Sequence, residues 1–273
     1  MENIKLGFIG AGNMARSLIG GLIADGFAAK NIWASDPSAD KLAALADAFA
    51  VHTSAENQPI VDNTDVVVLA VKPQVMKAVA SALDASARPD TLFISVAAGI
   101  QLDALGAWLG GQPALIRCMP NTPALVRSGA TAMCANARVS ERQREIAESV
   151  LRAVGVTVWV GEEAMVDTVT ALSGSGPAYF FLVMEALERA AIKLGLPDDT
   201  ARLLTLQTAF GAAKMALESE EDVQHLRERV TSPGGTTERA IEVLRAGELE
   251  ALFERALNAA QQRSIELAKE LGK

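Results

Sequence analysis

Short apolar runs alternate with stretches of helical periodicity through the first 160 residues of this chain. The runs IKLGFI (4–9), NIWAS (31–35), DVVVLAV (65–71), TLFISV (91–96), ALIRCM (114–119), ATAMCA (130–135) and VTVWV (156–160) predict strands. Between the early ones, amphipathic helices are predicted near 13–25, 38–49 and 74–83. Continuous apolar strands separated by helices imply a parallel sheet covered on both faces, a doubly wound α/β domain. Beyond about residue 163 the strand signal ends. The pattern there is helical, at 165–195 with a break at SGSGP, then 198–217, 222–229, 237–245 and 247–271. Two domains are therefore expected, 1–163 and 164–273, with the boundary near GEEAM.

Composition narrows the function classes. A length of 273 residues, half of them hydrophobic, is ample for a proper core. A net charge of −8 argues against a nucleic-acid surface. The longest apolar window, AYFFLVMEALERAAIKLGL, carries Glu185, Glu188, Arg189 and Lys193, so it predicts a buried helix rather than a membrane span. The N-terminus lacks the pattern of a signal peptide. Cys118 and Cys134 suggest no disulfide framework and have no metal-ligand spacing, so a cytoplasmic protein without a metal site is expected.

Candidate chemistry begins with GFIGAGNMARSLIGGL. Gly10, Gly12 and Ala15 form a G-x-G-x-x-G/A pattern after a strand and at a helix start, the context of dinucleotide binding. Gly10 permits the tight turn and Gly12 lets backbone approach a pyrophosphate, while Ala15 keeps the helix close to the sheet. Asn13 and Met14 supply N–H groups at a positive helix end. At the end of the next strand, ASDP places Asp36 21 positions after Ala15, where a carboxylate accepts bonds from ribose hydroxyls. The same residue could instead cap the helix starting near Pro37. A carboxylate facing the ribose repels the 2′-phosphate of NADP, whereas Ser35 could donate to it, so NADPH and NADH both stay open. In AVKPQ (70–74), Lys72 stands at the carboxyl edge of the sheet, either at the ligand or as a solvated lysine.

Three further segments carry the remaining punctuation. RCMPNTPALVRSG (117–129) holds Asn121 and Thr122 between two prolines, a stiff turn at a strand end. ALSGSGPAYFF (171–181) puts small residues where a helix starts or kinks. VTSPGGTTERA (230–240) has three breakers and then two threonines entering a helix. Its glycines can expose consecutive N–H groups able to hold a carboxylate, with Thr236 and Thr237 adding hydroxyls. A threonine there could also simply cap the helix.

Together with FIGAGNMA and AVKPQ, these segments resemble the pyrroline-5-carboxylate reductases, from about residue 5 to 268. The resemblance implies a Rossmann-type sheet followed by an all-α dimerisation domain, with subunits interlocked as homodimers that assemble further into decamers. It implies reduction of the C=N bond of L-1-pyrroline-5-carboxylate to L-proline by NADPH or NADH. By motif, Ile9, Gly10, Ala11, Gly12, Asn13, Met14, Ser35, Asn57, Ala70, Val71, Lys72 and Pro73 would line the cofactor site, with Asp36 beside them. Ser232, Gly234, Gly235, Thr236 and Thr237 would line the imine site, with Thr237 bonding the ring nitrogen. Asp36 departs from strict NADPH use, and Arg229 stands where relatives can carry an uncharged residue. A β-hydroxy-acid dehydrogenase is the competing enzyme, but it would want a lysine on the helix after SGSGP, and none precedes Lys193. A nucleotide-binding regulator without catalysis would not need the MPNTP and SPGGTT segments. His52 and His225 are expected to be structural.

Overall fold

A computed structural model describes residues 4–272. Its sheet has eight strands: β1 (Leu6–Ile9), β2 (Ile32–Ser35), β3 (His52–Ser54), β4 (Val66–Leu69), β5 (Leu92–Ser95), β6 (Ala114–Met119), β7 (Gly129–Ala135) and β8 (Gly155–Trp159). Their order is β3-β2-β1-β4-β5-β6-β7-β8. All neighbouring pairs are parallel except β6 and β7. That is a departure from the fully parallel sheet expected. Only the 3₁₀ turn Thr122–Val126 lies between β6 and β7, and a parallel return needs a crossover of a dozen or more residues.

The helices of this part are α1 (Asn13–Ala24), α2 (Ala39–Phe49), α3 (Gln58–Asn63), α4 (Pro73–Ser81), α5 (Leu102–Trp108), α6 (Glu141–Arg152) and the short α7 (Met165–Val169). Alternate strand residues point to opposite faces. Leu6, Phe8, Val66, Val68, Ile94 and Ile116 meet Leu18, Leu22, Leu45, Val150 and Leu151 on one side. Ile9, Val67, Leu69, Phe93 and Leu115 meet Ile60, Met76, Leu102 and Leu105 on the other. Both sides are thus apolar cores, which is why the inner strands read as continuous apolar runs.

The helices after Gly174 are α8 (Gly176–Lys193), α9 (Asp198–Glu218), α10 (Val223–Arg229), α11 (Thr236–Ala246) and α12 (Leu249–Leu271). The chain forms two compact units. One runs through Ser175 and includes the stretch from Ala259 onward; the other is Gly176–Asn258. The second unit carries large apolar side chains in the open, among them Phe180, Phe181, Leu182, Leu203, Leu204 and Phe210. Among the described residues, no helix is long and apolar enough to cross a membrane.

One charge lies deep in the first unit. Arg117, in the middle of β6, is 2% exposed. Its guanidinium meets Glu163 at 3.0 Å and Asp167 of α7 at 3.5 Å. Glu163 also accepts the N–H of Leu102 at the start of α5, and Asp167 accepts the hydroxyl of Ser264 on α12. Removing one member of such a cluster leaves buried charge without a partner. Arg117→Met is expected to lower unfolding stability by about 3–5 kcal/mol in urea denaturation. A loss below about 1 kcal/mol would show the cluster to be dispensable.

Candidate functional site

The site starts at the turn from β1 into α1. Gly10 has φ +101°, and a Cβ there would lie 2.7 Å from the Ala70 carbonyl oxygen. The protein's own backbone therefore demands glycine. Gly12 is different. It precedes α1 in ordinary extended backbone, and a Cβ on it would meet no atom of the chain within 4 Å. The space over Gly12 lies at the positive end of a twelve-residue helix, with Asn13 and Met14 opening it. That vacancy fits a pyrophosphate.

Backbone bonds bring the other strand ends to this turn. Gly10 N–H donates to Ser35 O at 2.7 Å, and Ala70 N–H donates to Ile9 O at 2.8 Å. Ile9, Ser35 and Ala70 thus meet at the carboxyl ends of β1, β2 and β4, where the strand order reverses around β1. Val71 is half-buried, exposed Lys72 precedes α4, and Pro73 is the helix's first residue. The Ser35 hydroxyl donates to Asn57 Oδ1 at 2.8 Å, which holds Asn57 at the end of β2.

Asp36 occupies this edge but does not cap α2, whose N-cap is Ser38. Its carboxylate is 6% exposed and turns back into the glycine turn. Oδ2 accepts Ala11 N–H at 3.0 Å and Oδ1 accepts Ser38 N–H at 3.0 Å. Lys41 Nζ approaches both oxygens, at 3.2 and 3.4 Å. Burial raises the Asp36 pKa, but these N–H groups and the ammonium outweigh it and hold the carboxyl below its ordinary range. Sequence reasoning passed over Lys41. Its only signal was its place in the first turn of the helix that follows Asp36.

The MPNTP segment meets the first residues of SGSGP, Ser173 and Gly174, within the first unit. Asn121 donates to Ser173 O at 3.1 Å and accepts Ala130 N–H at 2.9 Å. The small-residue break is a π-helical turn, Thr170–Gly174. A Cβ on Gly174 would lie 2.5 Å from the Met119 methyl, so close packing against β6 explains this glycine.

In the second unit, the SPGGTT loop leads into α11. Gly234, at φ +73°, donates its N–H to Glu238 at 2.7 Å, and Gly235 N–H donates to Ser232 O at 3.0 Å. Both glycine donors are thus engaged inside the loop. Glu238, three positions after the N-cap Gly235, was not singled out from sequence, although that is the reach-back position of a capping box. Thr236 and Thr237 are the first two helical residues, and no side chain caps the helix. Their N–H groups have no intrahelical acceptor. Among the described residues, neither threonine hydroxyl bonds another group. The loop therefore presents two N–H groups and two hydroxyls at the positive end of an eleven-residue helix. Arg229 pairs with Glu221 at 3.1 Å, and His225 with Asp222 at 2.9 Å.

Comparison with known proteins bears on both halves. The family model described as pyrroline-5-carboxylate reductase dimerisation matches residues 163–267. The one described as NADP oxidoreductase, coenzyme F420-dependent, matches residues 5–99. The pyrroline-5-carboxylate reductase of Pseudomonas aeruginosa is 56% identical over 272 residues, covering 100% of each chain. The solved pyrroline-5-carboxylate reductase of Coxiella burnetii is 49% identical with a TM-score of 0.94, covering 97% of this chain and 98% of its own. That of Plasmodium falciparum, with NADP bound, is 30% identical with a TM-score of 0.86, covering 98% and 99%.

The two glycines give separable outcomes. Gly10→Ala should destabilise the fold by about 1–3 kcal/mol through backbone strain. Gly12→Ala should change stability by less than about 1 kcal/mol, a helix-cap effect, yet weaken dinucleotide binding more than about tenfold by filling the vacancy. Denaturation and a cofactor titration of both variants check this. Unchanged affinity in Gly12→Ala would disprove the vacancy's role.

Proposed function

The chain belongs to the pyrroline-5-carboxylate reductase family, and from that premise we propose how its residues divide the work. The protein is an NAD(P)H-dependent oxidoreductase that reduces the C=N bond of L-1-pyrroline-5-carboxylate to give L-proline. When bound, the nicotinamide cofactor supplies hydride to the imine carbon. Ile9 to Met14 hold its pyrophosphate, with Ser35, Asp36 and Asn57 at the adenosine end and Ala70 to Pro73 along the β4 edge. Residues 1–163 carry this cofactor function, and residues 164–273 carry substrate binding and dimerisation.

The bare start of α11 carries the assignment of the imine site. Thr237 sets its hydroxyl at the ring nitrogen, the hydroxyl oxygen accepting the N–H of the protonated imine. The free N–H groups of Thr236 and Thr237, with the Thr236 and Ser232 hydroxyls, face the substrate carboxylate. Gly234 and Gly235 shape the loop at the same site. Gly235 packs tightly, since a Cβ on it would lie 2.6 Å from Ser232 Oγ. A ketone would become an alkoxide on reduction and demand a good proton donor. An imine nitrogen is basic enough to take its proton from solvent, so the loop need only orient the ring and bond the nitrogen. The absence of a lysine in α8 before Lys193 removes the proton donor that the competing β-hydroxy-acid dehydrogenase chemistry would require.

The apolar faces of α8 and α9 support self-association as a homodimer through residues 165–217, with the decamer that the resemblance implies as a further step. Neither a nucleic acid nor a membrane is needed as a partner. A cytoplasmic setting suits two cysteines that are buried and unpaired and a reaction run on reduced nicotinamide. Static light scattering should give a mass at least twice the chain's 28.7 kDa. An active species at the monomer mass would rule out the dimer.

The Thr237 role separates by side chain. Thr237→Val deletes the hydroxyl and should lower kcat/KM by about 10–150-fold, the loss of a hydrogen bond to a charged group. Thr237→Ser should keep most activity, and cofactor affinity should hold in both. Near wild-type efficiency in the valine variant would leave the proton to solvent alone. Equal damage from serine and valine would assign the effect to the methyl group.

A further inference from the structure

Asp36 sits where a ribose-reading carboxylate belongs, yet its acceptor capacity is already taken. A carboxylate offers about four lone-pair positions. Ala11 N–H and Lys41 Nζ fill those of Oδ2, and Ser38 N–H and Lys41 Nζ fill those of Oδ1. Two of the partners are backbone groups, one in the glycine turn and one at the N-cap of α2. They tie Asp36 to the turn it supports. Lys41 is the only partner free to leave, since its side chain is 53% exposed on a flexible four-carbon stem.

Those features give the two residues unequal roles. Asp36 positions the glycine turn through Ala11. Its negative charge, standing alone, would repel a phosphate on the ribose. The ammonium of Lys41 cancels that charge while resting on it and can swing to a phosphate from the same stem.

We propose that Lys41 is the specificity-determining residue for the adenosine end of the cofactor, admitting a ribose 2′-phosphate beside Asp36. This rests on the assignment of the glycine turn as the cofactor site. An unphosphorylated ribose gains nothing from the ammonium and competes with it for Asp36. A phosphorylated one takes the ammonium as its counter-charge. Lys41 thereby lets one site accept both NADPH and NADH, where Asp36 alone would select against the phosphate.

Calorimetric titration of the substrate-free protein with NADP⁺ and with NAD⁺ tests this without turnover. Lys41→Met should weaken NADP⁺ binding by about 10–100-fold, the scale of a lost charge-assisted contact, and leave NAD⁺ within about threefold. Lys41→Arg should keep NADP⁺ affinity. Adding Asp36→Asn to Lys41→Met should recover part of it, because the uncompensated carboxylate is then gone. Thermal denaturation of each variant confirms that the exposed substitution leaves the fold intact. Equal weakening of both cofactors, or unchanged NADP⁺ affinity, overturns the role of Lys41. Failure of the wild-type protein to bind NAD⁺ and NADP⁺ at all would instead overturn the cofactor site itself.

Discussion

A guanidinium in the middle of a buried strand constrains much of the first unit. Arg117 cannot shed its charge, and leaving that charge unpaired inside the sheet would cost several kcal/mol. Two carboxylates must therefore be delivered to it, from Glu163 just before α7 and from Asp167 within it. Each carboxylate then recruits another element, the start of α5 through Leu102 and the returning α12 through Ser264. The end of β6 is fixed by this cluster. Two residues beyond β6, Asn121 stitches the proline turn to Ser173 and Ala130.

A similar logic operates at the other end of the sheet. Asp36 is held ionised by backbone N–H groups and a lysine, and it pins Ala11 within the glycine turn. Gly10 is set by the protein's own sterics, whereas Gly12 leaves space that nothing in the chain fills. The turn is therefore tight against the sheet at Gly10 and open at Gly12. Under the proposed cofactor assignment, preorganisation of this kind would spare a dinucleotide the entropy of ordering its own site.

The inner strands were legible because two-sided burial makes each a nearly unbroken apolar run, and the edge strand β8 was legible from its valines although Val156 and Val158 are exposed. β3, HTS, was not predicted. It is a short polar strand at the sheet edge and has no hydrophobic pattern to betray it. The direction of β7 was equally hidden, since GATAMCA reads alike in parallel or antiparallel pairing and only the connection decides. α6 had a usable signal in the Ser140–Gln143 capping box. At the candidate site, Gly10, Gly12 and Asp36 meet at the carboxyl edge of β1 and β2, as their spacing led one to expect. The carboxylate's direction depends on Ala11, 25 residues away, and no local pattern encodes it. Arg117 could have been suspected, because a charge inside ALIRCM breaks a run that is otherwise all apolar or sulfur-bearing.

The return of α12 means that the first unit is not contiguous in sequence. Its last segment, from Ala259 onward, follows the whole of Gly176–Asn258, so the ribosome must make that intervening stretch before Ser264 exists. At about 5–20 residues per second, the nascent first unit waits several seconds with Asp167 lacking its hydroxyl donor. Synthesis order thus leaves the sheet complete but its charged centre unfinished until the final turns of the chain emerge. A nascent chain stalled before Ala259 would carry all eight strands yet lack the seal over Asp167.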